Sequence, residues 1–221
     1  HGAGSMCGKN LSDEAVSTIG QQRRYNYALQ PMPKEEFIQL VTADQPQAPD
    51  YFSHDAILNR QDRQNLDQAM QESLQAIALE DVLQMQADGA QIVDVRDAMD
   101  FAGAHLTGSL NVGLDGKYAT WAGTMLNKEQ PIIVVADSER VNEAVMRLGR
   151  IGLDNVAGYL EHGVQAIDQH PELIARIRRI TAPALAEQGE AEDPPVVIDV
   201  RTEKEWGAGH VEGSINVPLS Q

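Results

Sequence analysis

Residues 91–112 read QIVDVRDAMDFAGAHLTGSLNV, and residues 196–217 read VVIDVRTEKEWGAGHVEGSINV. Aligned at a constant offset of 105 without a gap, eight of the 22 positions are identical: Asp94/Asp199, Val95/Val200, Arg96/Arg201, His105/His210, Gly108/Gly213, Ser109/Ser214, Asn111/Asn216 and Val112/Val217. A repeat at this separation means one fold used twice, and it constrains the architecture more than any other feature of the chain.

Both copies carry the same local physics. An apolar run, Ile92 and Val93 in one and residues 196–198 in the other, is too short for a helix and ends in Asp-Val-Arg, as a buried strand does. A short polar helical turn follows. On it Arg96 and Asp100, or Arg201 and Glu205, stand four apart and are expected to pair. The charges survive an Asp-for-Glu exchange between copies, which reads as a structural bridge. Gly-Ala-His or Ala-Gly-His then leads through a glycine turn into a second short strand, Ser-Leu-Asn-Val or Ser-Ile-Asn-Val.

This pattern resembles the first half of a rhodanese-like domain, closely over residues 195–219 and more loosely in the first copy. The resemblance implies an α/β three-layer sandwich around a parallel five-stranded sheet. It also implies a sulfur-carrying cysteine in the loop after the fourth strand. In the family that loop reads Cys-x-x-x-x-Arg or Cys-x-x-Gly-x-Arg, and backbone N–H groups at the helix start depress the thiol pKa and hold the terminal sulfur. Here Val134-Val135-Ala136 runs into Asp137-Ser138-Glu139-Arg140. Asp137 occupies the cysteine slot, and the loop is shorter than the motif. A carboxylate cannot accept a sulfane sulfur, but it can accept helix-start N–H groups, so Asp137 is expected to cap the following helix. Glu139 adds negative charge where an anionic sulfur donor would land. The reading is a catalytically inactive domain, with no catalytic residue; the lesser alternative keeps Arg140 as a residual small-anion site.

The rest of the first copy fits one domain. Residues 79–85 form a helix with Leu79, Val82 and Leu83 inward. Tyr118, Trp121 and Met125 recur at helical spacing and read as core. Residues 132–135 are a continuous β-branched strand suited to the middle of a parallel sheet. Val141, Ala144, Val145 and Leu148 follow a 3.6-residue period, and residues 156–160 make the last strand. Glu161-His162-Gly163 comes close to the Glu-Gly-Gly that often ends this unit in the family. Residues 168–179 read as a charged helix, and residues 180–188 repeat the strand–helix opening of the first copy. An acidic, proline-ended loop at 189–195 precedes the second repeat. Half a domain of about 45 residues cannot bury a core of its own, so the last 45 or so residues are expected to lean on other protein.

The amino-terminal stretch is of another kind. Residues 1–9 are glycine-rich, and residues 17–29 carry helix formers up to Pro31. Residues 34–41 start after Pro33, a good first-turn residue, and put Phe37, Leu40 and Val41 on one face. Residues 51–66 look helical. The order His-Gly, then Ser-Thr-Ile-Gly-Gln-Gln-Arg-x-x-Asn-x-x-Leu, then Glu-Glu-Phe resembles the carboxy-terminal end of a metallo-β-lactamase-fold enzyme. It is most similar to the persulfide dioxygenase and glyoxalase II branch, some members of which are fused to rhodanese-like repeats. The resemblance puts His1 where that branch has its last active-site histidine, a metal ligand in two-metal relatives and a neighbour of the metal in one-iron ones, with iron (Fe) or zinc (Zn) expected in the parent protein. A lone imidazole does not fill a metal site, so no cofactor is expected in this stretch by itself. It also places glutathione-binding basic groups at Arg23, Arg24 and Lys34. Arginine forks pair with carboxylates, of which glutathione has two. A solvated helix face is the alternative for these three residues. Cys7 reads as a buried structural thiol, with a reactive thiol as the lesser alternative; it is no rhodanese nucleophile, since the strand before it and the helix after it are missing.

Net charge is −16 and the sequence pI is about 4.6, which excludes nucleic acid or an anionic membrane as a main partner. No apolar run is long enough to span a bilayer. The single cysteine excludes an internal disulfide and a thiolate metal cage, and fits a reducing cytoplasm. The chain opens on His1 and stops at Gln221 in mid-pattern, so a fragment of a longer protein is expected, divided as 1–69, 70–170 and 171–221. The expected function is that of a piece of a metallo-β-lactamase-fold/rhodanese fusion, a hydrolase or persulfide dioxygenase of glutathione-linked sulfur metabolism. Its partner would be a glutathione-type thiol or persulfide, with homo-oligomerisation left open. The alternative is a non-catalytic rhodanese-like interaction module.

Overall fold

A computed structural model describes residues 16–43, 57, 60 and 73–219. His1, Cys7 and nearly all of the helix expected over 51–66 lie outside the described residues. The chain divides into two compact units, His1–Ala48 and Pro49–Gln221.

In the first unit, α1 (Ile19–Tyr25) opens on a capping box: the Gln21 N–H donates to Thr18 Oγ1 at 3.2 Å, and the Thr18 N–H donates to Gln21 Oε1 at 2.9 Å. Asn26 ends α1, and its Oδ1 accepts the Ala28 N–H at 3.0 Å to start a 3-10 turn, Tyr27–Leu29. α2 (Lys34–Thr42) follows Pro33 and carries Glu35 and Glu36 in its first turn, where the helix dipole favours them. No residue of α1 or α2 is buried. The expected inward face of α2 is only half realised, with Leu40 and Val41 half-buried and Phe37 exposed.

The second unit holds the sheet. Its elements are β1 (Ala76–Ile77), α3 (Leu79–Ala87), β2 (Gln91–Asp94), α4 (Ala98–Gly103), β3 (His105–Leu106), β4 (Leu110–Asn111), α5 (Tyr118–Met125), β5 (Ile132–Val135), α6 (Val141–Gly149) and β6 (Val156–Leu160). Five strands form one sheet in the order β1-β6-β5-β2-β4, and every neighbouring pair is parallel. β5 is central, and all four of its residues are buried, as a run of β-branched side chains with no polar alternation requires. Alternate residues serve two cores. Ile132, Val134 and Val93 pack with Tyr118, Ala122, Ala144, Val145 and Leu148 of α5 and α6. Ile133, Val135 and Ile92 pack with Leu79 and Val82 of α3 and with Ile167. Two helical layers thus cover the two faces of one parallel sheet.

Two expected elements differ. The buried stripe of α5 is Tyr118, Ala122 and then Leu126, while Trp121 and Met125 are exposed. The apolar positions repeat four apart, and the wide aromatic ring of Trp121 lies one position out of phase. The charged helix expected over 168–179 does not form. Pro171 opens a 3-10 turn, Pro171–Leu173, and β7 (Ile174–Ala175) pairs antiparallel with β3. Non-local bonds extend the pairing: the Thr107 N–H donates to the Leu173 carbonyl at 2.8 Å and the Ile177 N–H to the Ala102 carbonyl at 2.9 Å. Arg176 Nε donates to the Gly103 carbonyl at 3.0 Å. Backbone groups that a helix would have consumed tie this segment to the first repeat instead.

The second repeat follows as α7 (Ala182–Gly189), β8 (Ile198–Asp199), α8 (Glu203–Ala208) and β9 (Ile215–Asn216). β8 and β9 form a separate two-stranded parallel sheet with the same pairing as β2 and β4. The apolar residues of this sheet are largely exposed.

Gly163 holds the first repeat closed beneath its β5 loop. Its φ is +56°, and a Cβ there would lie 2.6 Å from the Ala136 carbonyl oxygen. Gly163→Ala should therefore lower stability by at least about 2 kcal/mol, the sum of a left-handed alanine and a backbone clash. A urea denaturation midpoint equal to that of the wild type would show that nothing is pinned there.

Candidate functional site

In a parallel α/β sheet, ligands bind beyond the carboxyl ends of the strands, where the loops converge. In this chain that end is built from two parts, the exit of β2 and the loop after β5.

The exit of β2 is held by a polar clamp. Asp94 is buried, and its carboxylate accepts the Arg96 backbone N–H at 3.0 Å, Arg96 Nε at 3.0 Å and Arg96 Nη2 at 2.6 Å. Arg96 Nη2 also donates to the Ala104 carbonyl at 2.8 Å, and Asn111 Nδ2 donates to the carbonyls of Asp94 and Arg96, each at 3.0 Å. The expected bridge to Asp100 is corrected: Arg96 pairs two residues back, not four ahead. The reason is register, because Arg96 precedes α4, whose N-cap is Asp97, so helical spacing does not apply to it. The second copy repeats the arrangement, with Arg201 Nη2 on Asp199 at 2.6 Å and on the Gly209 carbonyl at 2.9 Å. Glu205, expected to pair with Arg201, closes a capping box with Thr202.

The shared histidine is structural too. His105 Nδ1 lies 2.7 Å from the Phe101 carbonyl, which can only accept, so this nitrogen carries the proton. The ring stacks on Phe101 with centroids 3.7 Å apart, and His210 stacks on Trp206 at 3.8 Å.

The loop after β5 is where the sequence expects sulfur chemistry to fail. Asp137 stands at its start and is exposed, as are Ser138 and Glu139. The Asp137 backbone carbonyl accepts the Arg140 N–H at 2.8 Å, closing a turn. The expected capping role is corrected: the N-cap of α6 is Arg140, and no side chain caps the helix. A capping oxygen must belong to the residue that flanks the helix, and Asp137 is three residues too early.

Arg140 does not wait for an anion. Its Nη2 donates to Asp115 Oδ1 at 3.0 Å, and its Nε lies 3.2 Å from Glu143 Oε2. The Nε hydrogen is buried and misdirected, so the second contact is one of charge without a hydrogen bond. The bond from Asp115 chiefly, offset in part by desolvation, holds the guanidinium above its usual pKa. Asp115 and Glu143 were not among the sequence candidates. Glu143 sits three residues after Arg140 and could have been found by helix spacing, whereas Asp115 is 25 residues distant and could not. Behind the loop, Arg147 lies over the Tyr118 ring at 5.0 Å and donates to the Leu114 carbonyl at 2.6 Å. Burial raises the Tyr118 phenol well above its ordinary pKa, which Arg147 partly opposes.

The remaining candidates lie in the other unit. Arg23 and Arg24 close α1 and Lys34 opens α2; all three are exposed. The Arg23 and Arg24 carbonyls accept Gln30 Nε2 at 3.4 and 3.3 Å, which leaves both guanidinium groups out of that contact. Among the described residues no cluster of three or more His, Cys, Asp or Glu could hold a metal ion, so these residues do not fit one. Among them, too, no helix is long and apolar enough to cross a membrane.

The rhodanese-like domain model matches residues 78–170 and again 181–221, more than half of the chain. The chain belongs to the rhodanese-like family. No curated protein matches this rhodanese-like chain. Among solved structures, it is 25% identical to a metallo-β-lactamase from Staphylococcus aureus subsp. aureus COL, with a TM-score of 0.57 over 72% of this chain and 43% of that one. It therefore spans less than half the length of that protein. A share of 72% exceeds what residues 1–48 could supply, so the likeness runs into the rhodanese-like part. A rhodanese-like domain from Anabaena sp. aligns at 20% identity and TM-score 0.36, over 42% of this chain and 99% of that one. EanB, solved with hercynine, aligns at 15% and 0.40, over 71% and 42%. Nothing further rests on these last two. The family match and the metallo-β-lactamase likeness together have the pattern of a metallo-β-lactamase-fold/rhodanese fusion, the combination read from the sequence.

The Asp199–Arg201 clamp makes a pH prediction. Hydrogen bonds from the Arg201 side chain, then its backbone N–H, hold the Asp199 carboxyl at about 2, against an ordinary 3.8. A depressed carboxyl pKa contributes stability above its ordinary value and loses it as pH falls through the depressed one. Carboxyl-carbon NMR of Asp199 should therefore show a midpoint near 2, and a midpoint near 3.8 would mean that the clamp is open in solution.

Proposed function

We propose that the first rhodanese-like repeat transfers no sulfur and serves as a structural unit within a metallo-β-lactamase-fold/rhodanese fusion. The observation that carries this is Asp137 in the slot of the nucleophile. Sulfur transfer needs a thiolate that attacks the donor and stores the outer sulfur as a persulfide. A carboxylate oxygen forms no such adduct. The surroundings support the reading: Glu139 and Asp137 are exposed at the loop, and the arginine that ends it, Arg140, is already engaged by Asp115 and Glu143.

In this reading the protein works in glutathione-linked sulfur metabolism in the cytoplasm, as a hydrolase or persulfide dioxygenase acting on a glutathione-type thiol or persulfide. Its iron or zinc would be held by residues other than those described here, with His1 beside it. Arg23, Arg24 and Lys34 would meet the carboxylates of the peptide. The likeness of the chain to a metallo-β-lactamase and the exposure of these three residues support this part. The second reading, a non-catalytic interaction module, draws on the same Asp137 at the head of the loop after β5.

Thiosulfate and cyanide supplied to the purified chain should yield no thiocyanate above the uncatalysed rate. Turnover that survives Cys7→Ser would refute the inactive repeat. Separately, glutathione added to the labelled chain should shift the Nε–H NMR signals of Arg23 and Arg24. Signals that stay fixed up to millimolar glutathione, a weak-binding limit of about 4 kcal/mol, would remove the glutathione assignment.

A further inference from the structure

The basic pair of the first unit sits at a helix end that would ordinarily consume it. The last carbonyls of a helix have no partner within it, and arginines in the last turn can donate to them. Arg23 and Arg24 are in the last turn of α1, and among the described residues no backbone N–H serves either of their carbonyls. Gln30 serves them instead. Its Nε2 lies 3.0 Å from the Asn26 carbonyl, 3.3 Å from that of Arg24 and 3.4 Å from that of Arg23. An amide has two N–H donors, so the three carbonyls share them, and the bond to Asn26 is the shortest. The next residue, Pro31, disfavours helical backbone at Gln30, which is extended at φ −76° and ψ 148°. The 3-10 turn Tyr27–Leu29 thus returns an uncharged donor to the end of α1, while the Arg23 and Arg24 side chains stay exposed.

We infer that Gln30 is a positioning residue: by capping the end of α1 with a neutral amide, it keeps the Arg23 and Arg24 guanidinium groups off their own helix and available to an anionic ligand. The inference rests on the glutathione reading only for the identity of that ligand. Without the amide donor, the carbonyls at the end of α1 fall to the nearest side-chain donors, which are the two arginines of that turn. A guanidinium spent on its own helix end no longer offers a planar fork to a carboxylate. Lys34 opens the other helix, α2, and stands outside this exchange.

The test is NMR of the full chain carrying Gln30→Met, which keeps the length of the side chain and removes its donor. Without ligand, the Arg23 and Arg24 Nε–H signals should move from their wild-type positions. With glutathione, the titration midpoint read at those signals should rise about threefold or more, the scale of one net hydrogen bond. Arginine signals that stay in place in the ligand-free variant would overturn the proposal. So would Gln30 side-chain amide protons that exchange in the wild type as fast as those of an unstructured glutamine, a measurement that does not depend on the variant folding. If the variant moves the arginine signals while those of the wild type ignore glutathione, the glutathione reading falls and the positioning role of Gln30 stands.

Discussion

The structure depends on a polar clamp confined to one short stretch of chain. A buried carboxylate, Asp94, takes three donors from Arg96, and the same guanidinium reaches the Ala104 carbonyl at the far end of α4. A buried ion pair is stable only where further hydrogen bonds offset the desolvation of both charges, and here the backbone N–H and a carbonyl supply them. Asn111 then joins β4 to the two carbonyls that α4 leaves behind. The result is a fixed exit from β2, a fixed start for α4 and a fixed register between β2 and β4. Because its members lie within 18 residues of one another, the clamp needs no distant partner to form.

The second repeat shows this directly. Its clamp matches the first bond for bond, although Arg201 is 47% exposed where Arg96 is 9% exposed. The hydrophobic core behaves in the opposite way. It requires β5 and α6, which lie about 40 to 55 positions beyond β2, and among the described residues no counterpart covers the second clamp. Local polar geometry and non-local burial are therefore separable in this fold, and only the second depends on a complete set of strands. The same division governs the chemistry. The clamp residues are identical in both copies and hold backbone, whereas the position that could carry sulfur lies in the non-local part, at the end of β5.

Much of this was legible in the sequence, and the exceptions follow one pattern. The four β-branched residues of β5 and the Val141, Ala144, Val145 and Leu148 stripe of α6 report their burial directly, because periodicity is a local property. The sequence likewise puts Asp137 directly after the β5 strand, and the structure shows it exposed at the head of that loop. Arg96 was given the wrong partner because helical spacing was applied to a residue that stands before its helix. Residues 168–179 read as a charged helix because their composition suits one, while the backbone of residues 173–177 is claimed by β3 and its flanks, some 70 positions earlier. Asp115 was missed as the partner of Arg140 because nothing in the intervening 25 residues ties the two together until β4 and β5 are folded.

The β5 loop does not present a free arginine to an anion, because Arg140 is paired with Asp115 and Glu143. In a sulfur-transferring loop the helix start and its arginine must present unspent positive charge to an anionic donor. Here Arg140 is the N-cap of α6 and also the meeting point of Asp115 and Glu143, and Asp137 and Glu139 add two more carboxylates within the same turn. Replacing Asp137 by cysteine would restore a sulfur atom but not the field that ionises it, since neighbouring carboxylates raise a thiol pKa where a sulfurtransferase needs it lowered. In the proposed reading the loop is closed to sulfur chemistry at two levels, the identity of one atom and the charge of its surroundings. The second does not change with the residue at 137, because Asp115 and Glu143 still pair with the Arg140 guanidinium.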